Sequence, residues 1–156
     1  MKSESTFSKM HTIGLIVEHR HTSVALSVDL ASYMSRQHSK GTIAVAANHP
    51  QALMSSVRKQ WLRLIRLAQR ERASTLSRQC KESLDEIICS MQAISFTAKD
   101  PTHDSSAYVS FATTERFVAA PPMCATLYII QPVTKSELYL LASWMRPGSM
   151  VVIYDR

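Results

Sequence analysis

A chain of 156 residues, 46% hydrophobic and 19% charged, has the length of one domain and enough apolar material for a packed core, which excludes intrinsic disorder and any need for disulfide or metal staples. Three glycines exclude collagen-like and glycine-rich phosphate-loop designs, and no apolar run approaches the roughly 18 residues of a membrane span. The formal net charge of +6 points toward an anionic partner.

Residues 1–11 begin MKSESTFSKM, which is polar and lacks the apolar core of a secretory signal. They are read as a flexible tail ahead of a single α/β domain over 12–156. Ile13, Leu15, Ile16 and Val17 form a short apolar run, which predicts a buried strand at Thr12–Val17. Thr22 or Ser23 is placed to cap a helix through about Gln37, with Val24, Leu26, Val28, Leu30, Ala31, Tyr33 and Met34 spread over more than one face. Thr42–Ala47 is a second buried strand. Pro50 then opens a helical stretch, since a proline at the first helical position gives up a donor that would be orphaned anyway.

From Pro50 to Ile88 there is neither Pro nor Gly. The stretch is one long helix, or two broken near Ser74–Ser77, where hydroxyl residues cluster. Ile94 and Phe96 alternate with polar neighbours and predict a strand at Ala93–Ala98. Lys99–Ser106 is a loop, and Tyr108, Val109 and Phe111 predict a strand at Ala107–Ala112. These two strands are spaced so that an antiparallel hairpin would join them. Ala125–Gln131 is a further strand. Thr134 and Glu137 then form a capping box for a helix with Leu138, Leu141, Ala142 and Met145 on its apolar face, and Pro147–Gly148 stops it before a last strand at Met150–Tyr154. The alternation predicts a single open sheet with helices on both faces, a Rossmann-like three-layer α/β fold. The sheet is expected to be mostly parallel, and mixed if the hairpin forms.

The charge is concentrated. Arg58, Lys59, Arg63, Arg66, Arg70, Arg72, Arg78 and Lys81 face Glu71 alone over Arg58–Lys81, so the remainder of the chain is close to neutral. With Arg58 at 0° on a helical wheel, Lys59, Arg63, Arg66 and Arg70 fall between about 80° and 140°, while Leu53, Val57, Trp61, Leu64, Ile65 and Ala68 fall between about 220° and 340°. Lys59, Arg63, Arg66 and Arg70 are therefore the candidate contacts to phosphates or carboxylates. Cations three and four residues apart form one row, and arginine binds both anions in forked geometry.

A second candidate is the crevice beyond the carboxyl ends of the first two strands, which would gather Glu18, His19, His21, Asn48 and His49. His19 and His21 share a face if the strand persists through them. A zinc site would still need a third ligand, for which His49 and Asp155 are the candidates, and no metal is assigned. No dinucleotide, P-loop, H-E-x-x-H or nucleophile-elbow motif occurs. Leu140–Asp155 resembles the late helix–turn–strand of class I methyltransferases in its Pro-Gly turn. That family's glycine-rich loop after the first strand has no counterpart here, and no activity is carried over. Cys80, Cys89 and Cys124 form no C-x-x-C pair and are odd in number, which points to a reducing, cytoplasmic setting.

The reading is a non-enzymatic binding protein without cofactor. It would be accessory to nucleic-acid processing or regulation and would contact nucleic acid or an acidic protein surface, not a membrane, through a basic helix face. The alternatives are a small-ligand-binding or hydrolytic enzyme using the crevice, and a structural subunit docking into a larger assembly.

Overall fold

The computed structural model describes residues 10–17, 19–36, 40–98, 107–119, 127–130 and 150–153, together with Lys135, Ser136, Tyr139 and Ser143, which are helical. Six strands are present among them: β1 (Met10–Ile16), β2 (Lys40–Ala47), β3 (Ser95–Thr97), β4 (Tyr108–Thr113), β5 (Leu127–Ile130) and β6 (Met150–Ile153). They form one sheet in the order β3-β4-β2-β1-β5-β6, and every pair is parallel. The possible hairpin between the third and fourth strands is thereby corrected: Phe96 lies beside Val109 in a parallel ladder. Alternating apolar residues specify a half-buried strand but not its direction.

Three helices lie on one face: α1 (Arg20–Arg36), α2 (Pro50–Ser74) and α3 (Arg78–Gln92). Ile13, Leu15, Ile43, Val45, Val109, Phe111 and Ile129 alternate toward that side. Most of them join Ala31, Met34, Leu53, Val57, Trp61 and Met91 in one core. A short helix, α4 (Thr114–Ala119), packs on β2 and β4, with Phe117 buried outside that cluster. After β4 the chain must cross to the opposite side of β1, so a right-handed crossover puts α4 on the other face. This helix is not among the elements that the sequence predicts. Its local signal is Thr113, whose Oγ1 accepts the Arg116 N–H at 3.2 Å.

The second strand and the last two start within two residues of their apolar runs. The first begins at Met10, because its ladder with β2 runs from Met10↔Lys40 and backbone pairing does not require apolar side chains. The start of α1 is corrected from Thr22 or Ser23 to Arg20, with the Ser23 N–H donating to the His19 carbonyl at 2.9 Å. Ser23, Ser27, Ala31 and Ser35 are the buried row, and Tyr33 is 48% exposed. Small side chains four residues apart let the helix axis approach the sheet, while Val24, Leu26, Val28 and Leu30 pack on its shoulders. The capping box at Thr134 and Glu137, the face residues Leu138, Leu141, Ala142 and Met145, and the Pro147–Gly148 stop lie outside the described residues.

The Oγ atoms of Ser23 and Ser27 are buried without a hydrogen-bond partner among the described residues. A hydroxyl in that state costs about 1–3 kcal/mol of desolvation. Ser27→Ala is therefore expected to raise unfolding free energy by about 1 kcal/mol, and Ser27→Leu to lower it by about 2 kcal/mol by forcing the helix off the sheet. Urea unfolding checks both, and a destabilised Ser27→Ala would show that the hydroxyl has a partner.

The proportions of α2 set up the site. Its 25 residues span about 37 Å, whereas the eight residues of β2 span about 26 Å. The helix starts at the carboxyl edge of β2 and overshoots the amino edge by roughly 11 Å. Between Ile65 and Met91 no residue is fully buried, although Ile88 still packs against the core, so the two helices project beyond it as an arm over roughly the seven residues of each next to the Thr75–Ser77 break. The break falls at Thr75–Ser77, within the hydroxyl cluster, where the Ser77 Oγ caps α3 by accepting the Cys80 N–H at 3.3 Å.

Candidate functional site

Leu53, Val57, Trp61 and Ile65, spaced four apart, bury the inner side of α2, with Met54 and Leu64 half-buried beside them. Trp61 is the anchor. It is 2% exposed, its indole N–H donates to the Met91 carbonyl at 3.0 Å, and its ring meets Phe96 edge-to-face at 6.1 Å. This locks the rotation of the helix. Arg58, Lys59, Arg63, Arg66 and Arg70 are consequently exposed. From Lys59 to Arg70 the row is about 16 Å long.

Two ion pairs are present among the described residues: Arg72 to Asp85, which ties α2 to α3, and Arg78 to Glu82 within α3. The Asp85 carboxylate accepts from the Arg72 guanidinium and raises its pKa further. Lys59, Arg63, Arg66 and Arg70 have no ion pair or hydrogen bond among the described residues. Leu62 and Leu67, 47% and 49% exposed, flank the row on either side. Their exposure was not anticipated, because it depends on where α3 lies.

At the opposite, carboxyl edge of the sheet, β1 and β2 are in register through Ile16↔Ala46, so His19 leaves the sheet at the same edge as Asn48 and His49. All three are exposed. Arg20 joins the two helix starts there, donating from Nη2 to the Ser56 Oγ at 2.7 Å and the Ala52 carbonyl at 3.3 Å. Glu18 and Asp155 lie outside the described residues. The shared strand face expected for His19 and His21 does not form: β1 ends at Ile16, His19 precedes α1 and His21 is already within it. His49 precedes α2 without a side-chain capping bond. Among the described residues, no three His, Cys, Asp or Glu side chains converge as a metal site. No helix among them is long and apolar enough to cross a membrane.

The geometry defines an α/β protein with a parallel, doubly wound sheet and a projecting helical arm. Comparison with known proteins finds no matching family model, no matching curated protein and no matching solved structure.

Proposed function

We propose that this chain is a binding protein that contacts nucleic acid through the outer face of α2, with Lys59, Arg63, Arg66 and Arg70 on phosphates, as an accessory to nucleic-acid processing or regulation. The observation that carries this reading is a row of four exposed cations on one rigid helix with no acidic partner among the described residues. A solvated salt-bridged face would instead intersperse acids at the same spacing, as α3 does with Arg78 and Glu82. Unpaired guanidinium groups keep their forked donors available, and each phosphate they neutralise releases counterions.

The experiment is fluorescence anisotropy with random-sequence duplex DNA and single-stranded RNA at about 50 mM salt, where phosphate-driven binding is strong. Binding that is largely indifferent to sequence and weakens with salt is the expected result. No binding to either polymer at that salt overturns the nucleic-acid reading.

A further inference from the structure

We propose that two copies of this chain associate through the outer face of their arms, α2 of one lying against α3 of the other. The inference goes beyond the proposed function and engages Arg66 and Arg70, so that in the dimer Lys59 and Arg63 are the members of the row left to phosphates. It starts from the arm itself. The α2–α3 hairpin has no fully buried residue from Arg66 to Ser90 and meets the core there through the half-buried Ile88, and helices in proteins draw most of their stability from packing.

The charges on the arm are self-complementary. Arg66 and Arg70 are four residues apart on α2, and Glu82 and Glu86 are four apart on α3; all four are exposed. Each pair points away from the core. Measured from the core-facing side of its own helix, marked by Val57, Trp61 and Ile65 on α2 and by Leu84, Ile88 and Met91 on α3, each lies roughly 150–170° around. Both pairs therefore occupy the same outer face of the hairpin. Their heights also match. In an antiparallel hairpin, residues equally distant from the turn lie at about the same level. Arg66 and Glu86 are each ten residues from Leu76, and Arg70 and Glu82 are each six.

A two-fold axis parallel to the arms preserves height and exchanges α2 for α3. It sets Arg66 opposite the partner's Glu86 and Arg70 opposite the partner's Glu82, each contact made twice. Arg66 and Arg70, like charges four apart, repel within α2, and the partner's glutamates relieve this; Glu82 would share with the partner's Arg70 a carboxylate that already meets Arg78 of its own helix at 3.4 Å. Two exposed leucines add apolar area: Leu76 at the tip, 97% exposed, which meets its own copy, and Leu62, 47% exposed, at the base.

Sedimentation equilibrium at about 50 mM salt tests the proposal, with circular dichroism to check that each variant folds. The wild-type chain is expected to dimerise. Arg66→Glu with Arg70→Glu, or Glu82→Arg with Glu86→Arg, each weaken the dimer at least about tenfold, and the four substitutions together restore it to within about threefold. A wild-type chain that stays monomeric at about 200 μM, a dimer indifferent to both pairs, or a fourfold variant no tighter than either pair overturns the proposal. A monomer that still binds DNA defeats self-association and leaves the nucleic-acid reading standing; a dimer without DNA binding does the reverse.

Discussion

Trp61→Ala is expected to remove about 3–5 kcal/mol of folding stability, a large share of the roughly 5–15 kcal/mol that a domain of this kind possesses. The ring is 2% exposed, it packs on Phe96, and its N–H binds the Met91 carbonyl where α3 ends and β3 begins. Removing it leaves a cavity where α2, α3 and the sheet meet, and beyond it only Ile65 is buried before Met91. Trp61→Phe separates the contributions. It keeps most of the apolar contact and gives up the hydrogen bond, but the Met91 carbonyl still accepts the Ile94 N–H at 3.3 Å. The acceptor is therefore not orphaned, and a loss of about 1 kcal/mol is expected for the bond itself. Urea unfolding monitored by circular dichroism measures both. A cost below about 1 kcal/mol for Trp61→Ala would mean that the helix pair closes over the cavity and that Trp61 does not set the rotation of α2.

Replacing Arg63 and Arg66 together by glutamine is expected to alter nucleic-acid binding more than any other change on the surface. Four phosphate contacts on duplex DNA give a log–log salt slope near about −3.6, which is roughly a hundredfold loss of affinity between 50 and 200 mM salt. Two fewer contacts should bring the slope to about −1.8 and weaken binding at low salt on every sequence alike, because phosphate contacts carry no sequence information. Both side chains are exposed and unpaired among the described residues, so the fold should be unaffected and the thermal midpoint should stay within about 2 °C. A salt titration on wild type and variant reads the slope directly. An unchanged slope in the variant would place the contacts elsewhere on the chain.

Much of the architecture is legible along the chain because it is written in short-range chemistry. The runs Ile13–Val17 and Thr42–Ala47 are apolar and bounded by polar residues, so they read as buried strands, and Met150–Tyr154 reads as a strand, although Met150 and Val152 are exposed in it. Pro50 marks the start of α2, because it acts on the backbone within a few residues; the hydroxyl cluster before Arg78 marks only where a break could fall, and the structure places one there. The orientation of α2 is equally local. Leu53, Val57, Trp61 and Ile65 define one side of a helix by their spacing alone, which leaves Lys59, Arg63, Arg66 and Arg70 on the other.

Tertiary structure decided what depends on partners distant in sequence. The strand at Ser95–Thr97 runs parallel to its neighbour, because direction comes from how the chain returns to the sheet and a period of two does not encode it. The helix Arg20–Arg36 turns Ser23, Ser27 and Ala31 toward the sheet and leaves Tyr33 exposed. Close approach selected for size over hydrophobicity, and only the sheet imposes that approach. The pairing of His19 and His21 disappears because β1 stops at Ile16 and α1 begins four residues later. The arm exists only by comparison: α2 is longer than the strand it packs on, so the charge read from the sequence as a helix face stands partly on a projection clear of the core. A residue's chemistry and its side of a helix follow from its neighbours in sequence, whereas what covers that side is set by elements the chain brings back from far away.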